Sequence, residues 1–220
     1  MSISPPVPFT GTPGLTGTRR RAAIGPVPVL LAALVVVSYL IGTFPSAFIV
    51  ARRSGHDVSA EGSGNPGASN VFRIMGWRAG LLVFTLDFAK GALPAVAGLL
   101  IDGRPWAFAL GIAAVLGHVF PVTRRFKGGR GVATAGGVMV VVYPLISLGL
   151  AVVWLVVAYG FKKASIASLL VTVAFPVLVG MSGYGWEEVA LTGVLAALIV
   201  VRHAANLRRL ARGEESSLGA

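Results

Sequence analysis

Long apolar runs alternate with short polar segments along almost the whole chain. Six runs carry at most two ionisable side chains each, and they cover residues 27–51, 79–101, 106–123, 132–161, 164–186 and 189–201. A helix needs about 20 apolar residues to cross a hydrocarbon core ~30 Å thick, and most of these runs come near or exceed that length. The pattern therefore predicts an all-α fold, a polytopic membrane helical bundle.

The basic side chains indicate how this bundle is oriented. They fall in four clusters: Arg52, Arg53, Arg73 and Arg78; Arg124, Arg125, Lys127 and Arg130; Lys162 and Lys163; and Arg202, Arg208, Arg209 and Arg212. Because loops rich in Lys and Arg stay in the cytoplasm, the run 132–161 must begin and end there. A proline breaks a helix, so Pro144 is predicted to divide this run into two short spans near residues 132–143 and 145–161.

The predicted bundle then has about seven transmembrane helices, with six as the alternative. Seven spans place the N-terminus outside, although Arg19, Arg20 and Arg21 precede the first span. Residues 1–28 are rich in Pro, Gly and Thr and are predicted to form a flexible extension. A signal peptide is the alternative, but the first apolar run is long enough to be a retained span. The transmembrane domain is predicted to cover residues 29–215.

Composition agrees with a membrane protein and narrows the chemistry. Hydrophobic residues make up 55 % of the chain, charged residues 12 %, and the mean hydropathy is +0.81, whereas soluble domains are roughly a quarter charged. The chain has no cysteine. This excludes disulfides, thiolate metal sites and catalysis through a cysteine thioester.

One polar, glycine-dense segment interrupts the apolar pattern at residues 61–73, which read EGSGNPGASNVFR. Residues 62–67 match GxGxxG, but this pattern indicates a dinucleotide site only within a βαβ unit, and here predicted spans flank it. Glycines let backbone N–H groups approach an anion closely, and Arg73 offers a planar fork suited to phosphate. The other polar side chains are those of Ser63, Asn65, Ser69 and Asn70. The segment is predicted to bind an anion, with a flexible surface loop as the alternative.

A second polar segment, GHVFPVTRRFKGGRGVAT, covers residues 117–134. Three glycines surround Arg130 immediately before an apolar helix, and a glycine turn that leads into a helix N-terminus is typical of an anion site. The segment is not a P-loop, because the GK[ST] ending is absent.

A third polar segment, RHAANLRRLARGE, covers residues 202–214. His203 and Asn206 are three residues apart and share a helix face. The three later arginines of the segment are predicted to lie against anionic lipid headgroups. Outside the three segments, Asp87 and Lys90 lie inside a predicted span, where ionisable groups are usually paired or functional.

The three segments, in this order and separated by spans, resemble the bacterial acyl-phosphate-dependent glycerol-3-phosphate acyltransferases. The sequence DFAKG at residues 87–91 fits the same family, and the resemblance covers roughly residues 30–215. It implies a seven-span enzyme of the bacterial inner membrane with its active site facing the cytoplasm. Such an enzyme transfers a fatty acyl group from acyl phosphate to glycerol 3-phosphate, giving lysophosphatidic acid and phosphate in the first acylation of phospholipid synthesis.

The resemblance and the anion-site chemistry together give a set of expected site residues. The expected substrate-binding residues are Ser63, Gly64, Asn65, Gly67, Asn70, Arg73, Lys127, Gly128, Gly129, Arg130, Gly131, His203 and Asn206. Among them, the resemblance puts Ser63, Arg73, His203 and Asn206 around glycerol 3-phosphate. Arg130 stands where the family usually has lysine. Since arginine does not lose its proton in proteins, no role that needs a neutral amine is expected there.

The implied reaction needs no covalent intermediate, because acyl phosphate is an activated mixed anhydride and correct positioning supplies much of the rate. The candidate catalytic residues are His203 and Ser63. His203 is a candidate base by its ordinary pKa, and a phosphate oxygen of the substrate is the alternative. Ser63 is the weaker candidate as a nucleophile, because its neighbouring sequence supplies no base.

No cofactor and no metal cluster is expected, although magnesium held only by substrate phosphates stays open. The expected partners are glycerol 3-phosphate, acyl phosphate and membrane lipid, with the soluble enzyme that makes acyl phosphate as a further candidate and no nucleic acid. The rival function is a membrane transporter of an anionic phosphorylated solute. A transporter is expected to have several polar groups along its spans or an inverted repeat. The predicted spans of this chain have only the pair Asp87 and Lys90 as buried charged groups.

Overall fold

A computed structural model describes residues 26–218 of the chain. The nine α-helices within this range are α1 (Pro26–Gly42), α2 (Ser46–Arg53), α3 (Ala68–Met75), α4 (Trp77–Val119), α5 (Val132–Val142), α6 (Pro144–Gly160), α7 (Ala164–Met181), α8 (Trp186–Arg202) and α9 (Ala204–Ala211). A 3₁₀ turn, Val122–Arg124, lies between α4 and α5. No β-strand occurs between residues 26 and 218, and the predicted all-α class is confirmed. The predicted extension, residues 1–28, lies almost wholly outside the described residues.

The long helix α4 reverses its direction at two non-helical residues. Asp102 has φ −151° and ψ 34°, and Gly103 has φ 75° and ψ −156°, a conformation that glycine adopts readily because it has no Cβ. The imidazole of His118 lies 3.8 Å from the carboxylate of Asp87, although a straight helix would hold the two roughly 46 Å apart. α4 is therefore an antiparallel hairpin whose two arms are residues 77–101 and 104–119.

The helix break predicted at Pro144 is present. Tyr143 has the non-helical angles φ −134° and ψ 68°, and Pro144 is the first residue of α6. Proline fits the first turn of a helix, where its missing N–H would have no intrahelical partner. The run 132–161 therefore forms two helices, α5 and α6.

The number of membrane spans stays a prediction. By length and composition, the segments Val27–Arg53, Trp77–Arg124 and Ala164–Met181 can cross a membrane, and α8 with α9, which meet at a 56° bend, would be a fourth. The segment Trp77–Arg124 contains the α4 hairpin. α5 has 11 residues, so it extends only about 16 Å, half of a hydrocarbon core.

Glycines allow α4 and α5 to pack closely. A methyl group at Gly91 would collide with the backbone carbonyl of Thr134, and one at Gly137 would collide with the carbonyl of Phe88. Small residues at helix contacts in membranes let the two backbones approach in this way. Around this contact the main apolar core is completed by side chains from α7 and α8, such as Val179 and Leu195. The packing fixes the N-terminus of α5, and with it the loop that carries Arg130, against α4.

Candidate active site

The three polar segments lie together in the structure. Arg202 donates a hydrogen bond from Nη2 to the backbone oxygen of Gly128 at 3.0 Å, which joins the third segment to the second. Arg73 of the first segment is close enough for its charge to act on Arg130 of the second. Arg130 in turn acts on His203 of the third. The sequence prediction that these segments share one site therefore agrees with their placement.

Asn70 organises the first segment. Its side-chain oxygen accepts hydrogen bonds from the backbone N–H of Ser63 at 2.7 Å and from Arg73 Nη1 at 3.3 Å. Its side-chain nitrogen donates to the carbonyls of Val58 and Glu61. The amide of Asn70 is thus occupied within the loop, so it shapes the segment rather than facing a substrate.

Glycine is required at Gly62 of this segment, where φ is 59° and a Cβ would collide with the Asn70 side chain. The expected binding residues Ser63, Gly64 and Asn65 form the turn that follows, and Gly67 precedes the first residue of α3. The turn is fixed at its start by Glu61, whose carboxylate accepts hydrogen bonds from His56 Nδ1 at 2.8 Å and from the backbone N–H of Asp57. These hydrogen bonds, that of His56 first, lower the pKa of Glu61.

The second segment brings Arg130 to the N-terminus of α5. Gly131 precedes α5 with φ 90°, a left-handed conformation that favours glycine. Gly128 and Gly129 are buried against His118. Burial lowers the pKa of Arg130 to about 10, with the charge of Glu215 opposing the shift and that of Arg209 adding to it. Arg130 therefore keeps its positive charge at neutral pH. Lys127, in contrast, is exposed on the loop.

His203 lies at the bend between α8 and α9 and is buried, with 1 % of its surface exposed. Its Nδ1 is 2.8 Å from the carbonyl oxygen of Ile199. A carbonyl only accepts hydrogen bonds, so Nδ1 carries a hydrogen, and in the neutral ring Nε2 is the free acceptor. Burial, together with the charge of Arg130, lowers the pKa of His203 to about 4.

The C-terminal residues fold back onto this site, which the sequence reasoning missed. Asn206 donates from Nδ2 to Glu215 Oε1 at 2.6 Å, and Arg209 donates from Nε to Glu215 Oε2 at 2.8 Å. Arg73 donates from Nε to the carbonyl of Ser217 at 3.0 Å. Asn206 and Arg73, both expected at glycerol 3-phosphate, therefore each contact the tail, and the side-chain oxygen of Asn206 is buried without a partner.

Glu215 is a buried carboxylate in a strongly basic region. Burial raises the pKa of Glu215, but the hydrogen bonds that its carboxylate accepts from Asn206 and Arg209 act against burial, and the net shift is downward. One signal in the sequence pointed to this residue: only 8 of 220 residues are acidic, and two of them follow the arginines of α9. Arg209 binds Glu215 and not only lipid headgroups, so the prediction for that arginine was incomplete.

Two further histidines have carboxylate neighbours in the structure. His56 is paired with Glu61, and His118 lies near Asp87. His56 and Glu61 are five residues apart in the loop between α2 and α3, whereas His118 and Asp87 meet because the two arms of α4 are antiparallel. Within residues 26–218 no group of three His, Asp or Glu side chains converges in the manner of a metal site.

The fold and the site together define the class of protein: a helical membrane protein in which glycine loops bring basic side chains next to the buried His203 and Asn206. The chain belongs to the glycerol-3-phosphate acyltransferase family, whose sequence model matches residues 32–213. Similar proteins with that name come from Aquifex aeolicus, 40 % identical over 83 % of this chain and 96 % of the relative, and from Methylorubrum extorquens, 44 % identical over 87 % and 94 %.

The fold is also similar to a solved structure. The crystal structure of PlsY (YgiH), described as an integral membrane glycerol 3-phosphate acyltransferase in its glycerol 3-phosphate form, superposes with a TM-score of 0.82 and 38 % identity. The match covers 86 % of this chain and 96 % of that one. A lysophosphatidic acid form of the same protein gives a TM-score of 0.80.

Proposed function

We propose that this chain transfers an acyl group from acyl phosphate to glycerol 3-phosphate, giving lysophosphatidic acid and inorganic phosphate. The observation that carries the proposal is the convergence of Arg73, Arg130, His203 and Asn206 on one basic site, in which His203 and Asn206 are buried. Family membership supports it, and so do the glycerol 3-phosphate and lysophosphatidic acid forms of the similar PlsY structure.

The proposed reaction is a direct transfer. A hydroxyl oxygen of glycerol 3-phosphate attacks the carbonyl carbon of acyl phosphate, the new C–O bond forms, and the bond from that carbon to the phosphate oxygen breaks. Backbone N–H groups of the glycine segments stabilise the developing oxyanion. Ser63 is not a nucleophile in this scheme, because no hydrogen bond described for residues 26–218 joins its hydroxyl to a histidine or carboxylate.

The proton of the attacking hydroxyl goes to a phosphate oxygen of the substrate. An effective base has a pKa near the working pH, and the pKa of His203, about 4, is too low for this task. His203 Nε2 instead accepts a hydrogen bond and orients the glycerol group. Arg73, Asn206 and Arg130 hold the phosphate, with Arg130 as a permanent charge.

The proposed location is the bacterial inner membrane, with the site on the cytoplasmic side. The support is the distribution of basic residues, since all three polar segments carry Lys or Arg clusters that stay in the cytoplasm. Both proposed substrates are phosphorylated. The soluble enzyme that makes acyl phosphate is the expected partner there.

The test is an assay of the purified full chain in detergent with palmitoyl phosphate and labelled glycerol 3-phosphate. We expect labelled lysophosphatidic acid and one inorganic phosphate released for each acyl group transferred. A reaction without glycerol 3-phosphate serves as the control for hydrolysis. Phosphate release that does not depend on glycerol 3-phosphate, or absence of labelled lipid, would overturn the proposal.

A further inference from the structure

The residues that follow α9 connect three separate parts of the molecule. Gly213 has φ 73°, a left-handed conformation that commonly ends a helix and turns the chain. Residues 215–218, which we call the C-terminal strap, then contact α9, the loop between α6 and α7, and α3. All four residues of the strap are partly or wholly buried, and Glu215 is only 7 % exposed. The strap is therefore packed against the protein.

Hydrogen bonds fix both ends of the strap. At its start, the carboxylate of Glu215 accepts hydrogen bonds from two side chains of α9, and its backbone oxygen accepts one from Lys163 Nζ. At its end, the backbone N–H of Leu218 donates to the carbonyl oxygen of Lys162 at 2.6 Å. The two serines in the middle of the strap are thereby held between two anchors.

These two serines contact the guanidinium group of Arg73. Arg73 Nε donates to the backbone oxygen of Ser217 at 3.0 Å, and Nη2 donates to that of Ser216 at 3.5 Å. Arg73 Nη1 donates to Asn70 Oδ1 at 3.3 Å. A guanidinium group has five N–H donors, so two are left, one on each terminal nitrogen. Two N–H donors are the number that a bidentate hydrogen bond to phosphate uses.

The acceptors that the strap offers to Arg73 are neutral backbone carbonyls. A carboxylate in their place would cancel the charge of Arg73 and compete with a phosphate for it. A carbonyl orients the guanidinium group and leaves its charge available. An arginine that is already ordered loses less conformational freedom when its ligand binds, and this preorganisation raises affinity.

We propose that the C-terminal strap is a positioning segment of the acceptor site, which holds Arg73 in the orientation that binds the phosphate of glycerol 3-phosphate. This inference rests on the proposed function and deepens it, because it adds a fourth segment to the three polar ones. The strap acts through Arg73 and does not itself contact the substrate. Its loss should therefore weaken the binding of glycerol 3-phosphate and leave the binding of acyl phosphate unchanged.

Leu218→Pro tests the anchor at the end of the strap. Proline has no backbone N–H, so this substitution removes the hydrogen bond to Lys162 and frees the Ser217 carbonyl to move. Leu218→Ala keeps the N–H and is the matched control. We expect the KM for glycerol 3-phosphate to rise about two- to tenfold in Leu218→Pro, as the loss of one ordinary hydrogen bond requires, and to stay within about twofold in Leu218→Ala. The kcat and the KM for palmitoyl phosphate should stay within about twofold in both.

A shortened chain that ends at Glu215 is a second, independent variant. It keeps the hydrogen bonds of Glu215 and removes both carbonyls that contact Arg73. We expect the KM for glycerol 3-phosphate to rise at least as much as in Leu218→Pro. An unchanged KM in both variants would overturn the proposal. A lower KM would also overturn it, because the strap would then compete with the substrate for Arg73, and so would equal rises in the KM for both substrates.

A double-variant cycle shows whether the strap acts through Arg73. Arg73→Lys keeps a positive charge but lacks the planar fork, so the strap has no guanidinium group to orient. Leu218→Pro should therefore raise the KM for glycerol 3-phosphate no further when Arg73→Lys is already present. A strap that only stabilised the fold would add its full effect to that of Arg73→Lys, and such additivity would overturn the proposal.

Calorimetric titration with glycerol 3-phosphate needs no turnover, so it separates this inference from the proposed function. We expect the Kd to be about two- to tenfold higher for Leu218→Pro than for the parent and for Leu218→Ala. If the parent binds glycerol 3-phosphate but transfers no acyl group, the proposed function fails and these Kd values still decide the role of the strap. Equal Kd values for the three proteins would overturn the role of the strap even if all three transfer acyl groups. Absence of binding to the parent would overturn both.

Discussion

At the scale of single residues, two substitutions of Arg130 test whether phosphate binding needs only a positive charge or also the planar guanidinium group. Arg130→Ala removes a half-buried cation, a loss of about 1.5–3 kcal/mol by the scale for hydrogen bonds to charged groups, or roughly ten- to a hundredfold in kcat/KM. Arg130→Lys keeps the charge and should retain most activity. The measurement is steady-state kinetics with both substrates. Parental kcat/KM in Arg130→Ala would show that Arg130 does not bind phosphate, and equal losses in both variants would show that the planar fork is essential.

Glu215 should stabilise the fold through Arg209 and Asn206. Glu215→Gln removes the carboxylate from a half-buried guanidinium, so we expect a lower Tm in detergent at pH 7. Because folding lowers the pKa of Glu215 from its ordinary value of 4.5, its contribution is complete above that value and is lost as the pH falls through the folded-state pKa. The difference in Tm between parent and variant should therefore shrink in acid. A difference that does not change between pH 7 and pH 3 would contradict this role, and Glu214→Gln, at an exposed neighbour, is the control.

The sequence predicted three polar segments that lie together in the structure, but not every partner of their side chains. The polar segments stand out in an apolar chain, and the family resemblance then named Arg73, His203 and Asn206 within them. Asn70 was expected at the substrate, whereas its amide is used within its own loop. The contact of Glu215 with Asn206 was missed because it depends on how the chain turns after α9. The spacing of hydrophobic residues does not indicate the direction of that turn.

At the scale of elements, the glycine contact between α4 and α5 should be a point of high sensitivity. A methyl group at Gly137 meets the backbone of Phe88, which cannot rotate away, and overpacking of this kind typically costs about 1–3 kcal/mol. Gly137→Ala should therefore lower the Tm by several degrees. The matched control is Gly149→Ala in α6, where nothing lies within 4 Å of the added methyl. Alanine also has a higher helix propensity than glycine, so the Tm of Gly149→Ala should equal or exceed that of the parent. Equal changes in Tm for the two variants would contradict the close contact at Gly137.

The helical elements followed from the sequence to different degrees. The break at Pro144 was predictable because proline at the start of a helix has a local steric cause. The hairpin of α4 was foreseen as two runs, but its turn depends on only two non-helical residues, Asp102 and Gly103. α3 and α9 have eight residues each, which is too short for a hydropathy pattern to identify. They are stabilised by contacts with the rest of the site.

At the scale of the whole molecule, the basic clusters predict sidedness. A cysteine at Ser54, in the exposed loop after α2, should resist a membrane-impermeant thiol reagent in intact cells, because that loop is predicted to be cytoplasmic. A cysteine at Asp102, exposed at the turn of α4, should react. Both should react after the cells are permeabilised. The reverse pattern of labelling would overturn the topology and with it the cytoplasmic site.

The central claim is that the chain acylates glycerol 3-phosphate with acyl phosphate as the donor. The most direct measurement is the ratio of kcat/KM for palmitoyl phosphate to that for palmitoyl-CoA in one preparation of the purified protein. No adenine-recognition motif is evident in the sequence, so we expect transfer from palmitoyl phosphate and none above background from palmitoyl-CoA. Comparable turnover with the two donors would contradict the account.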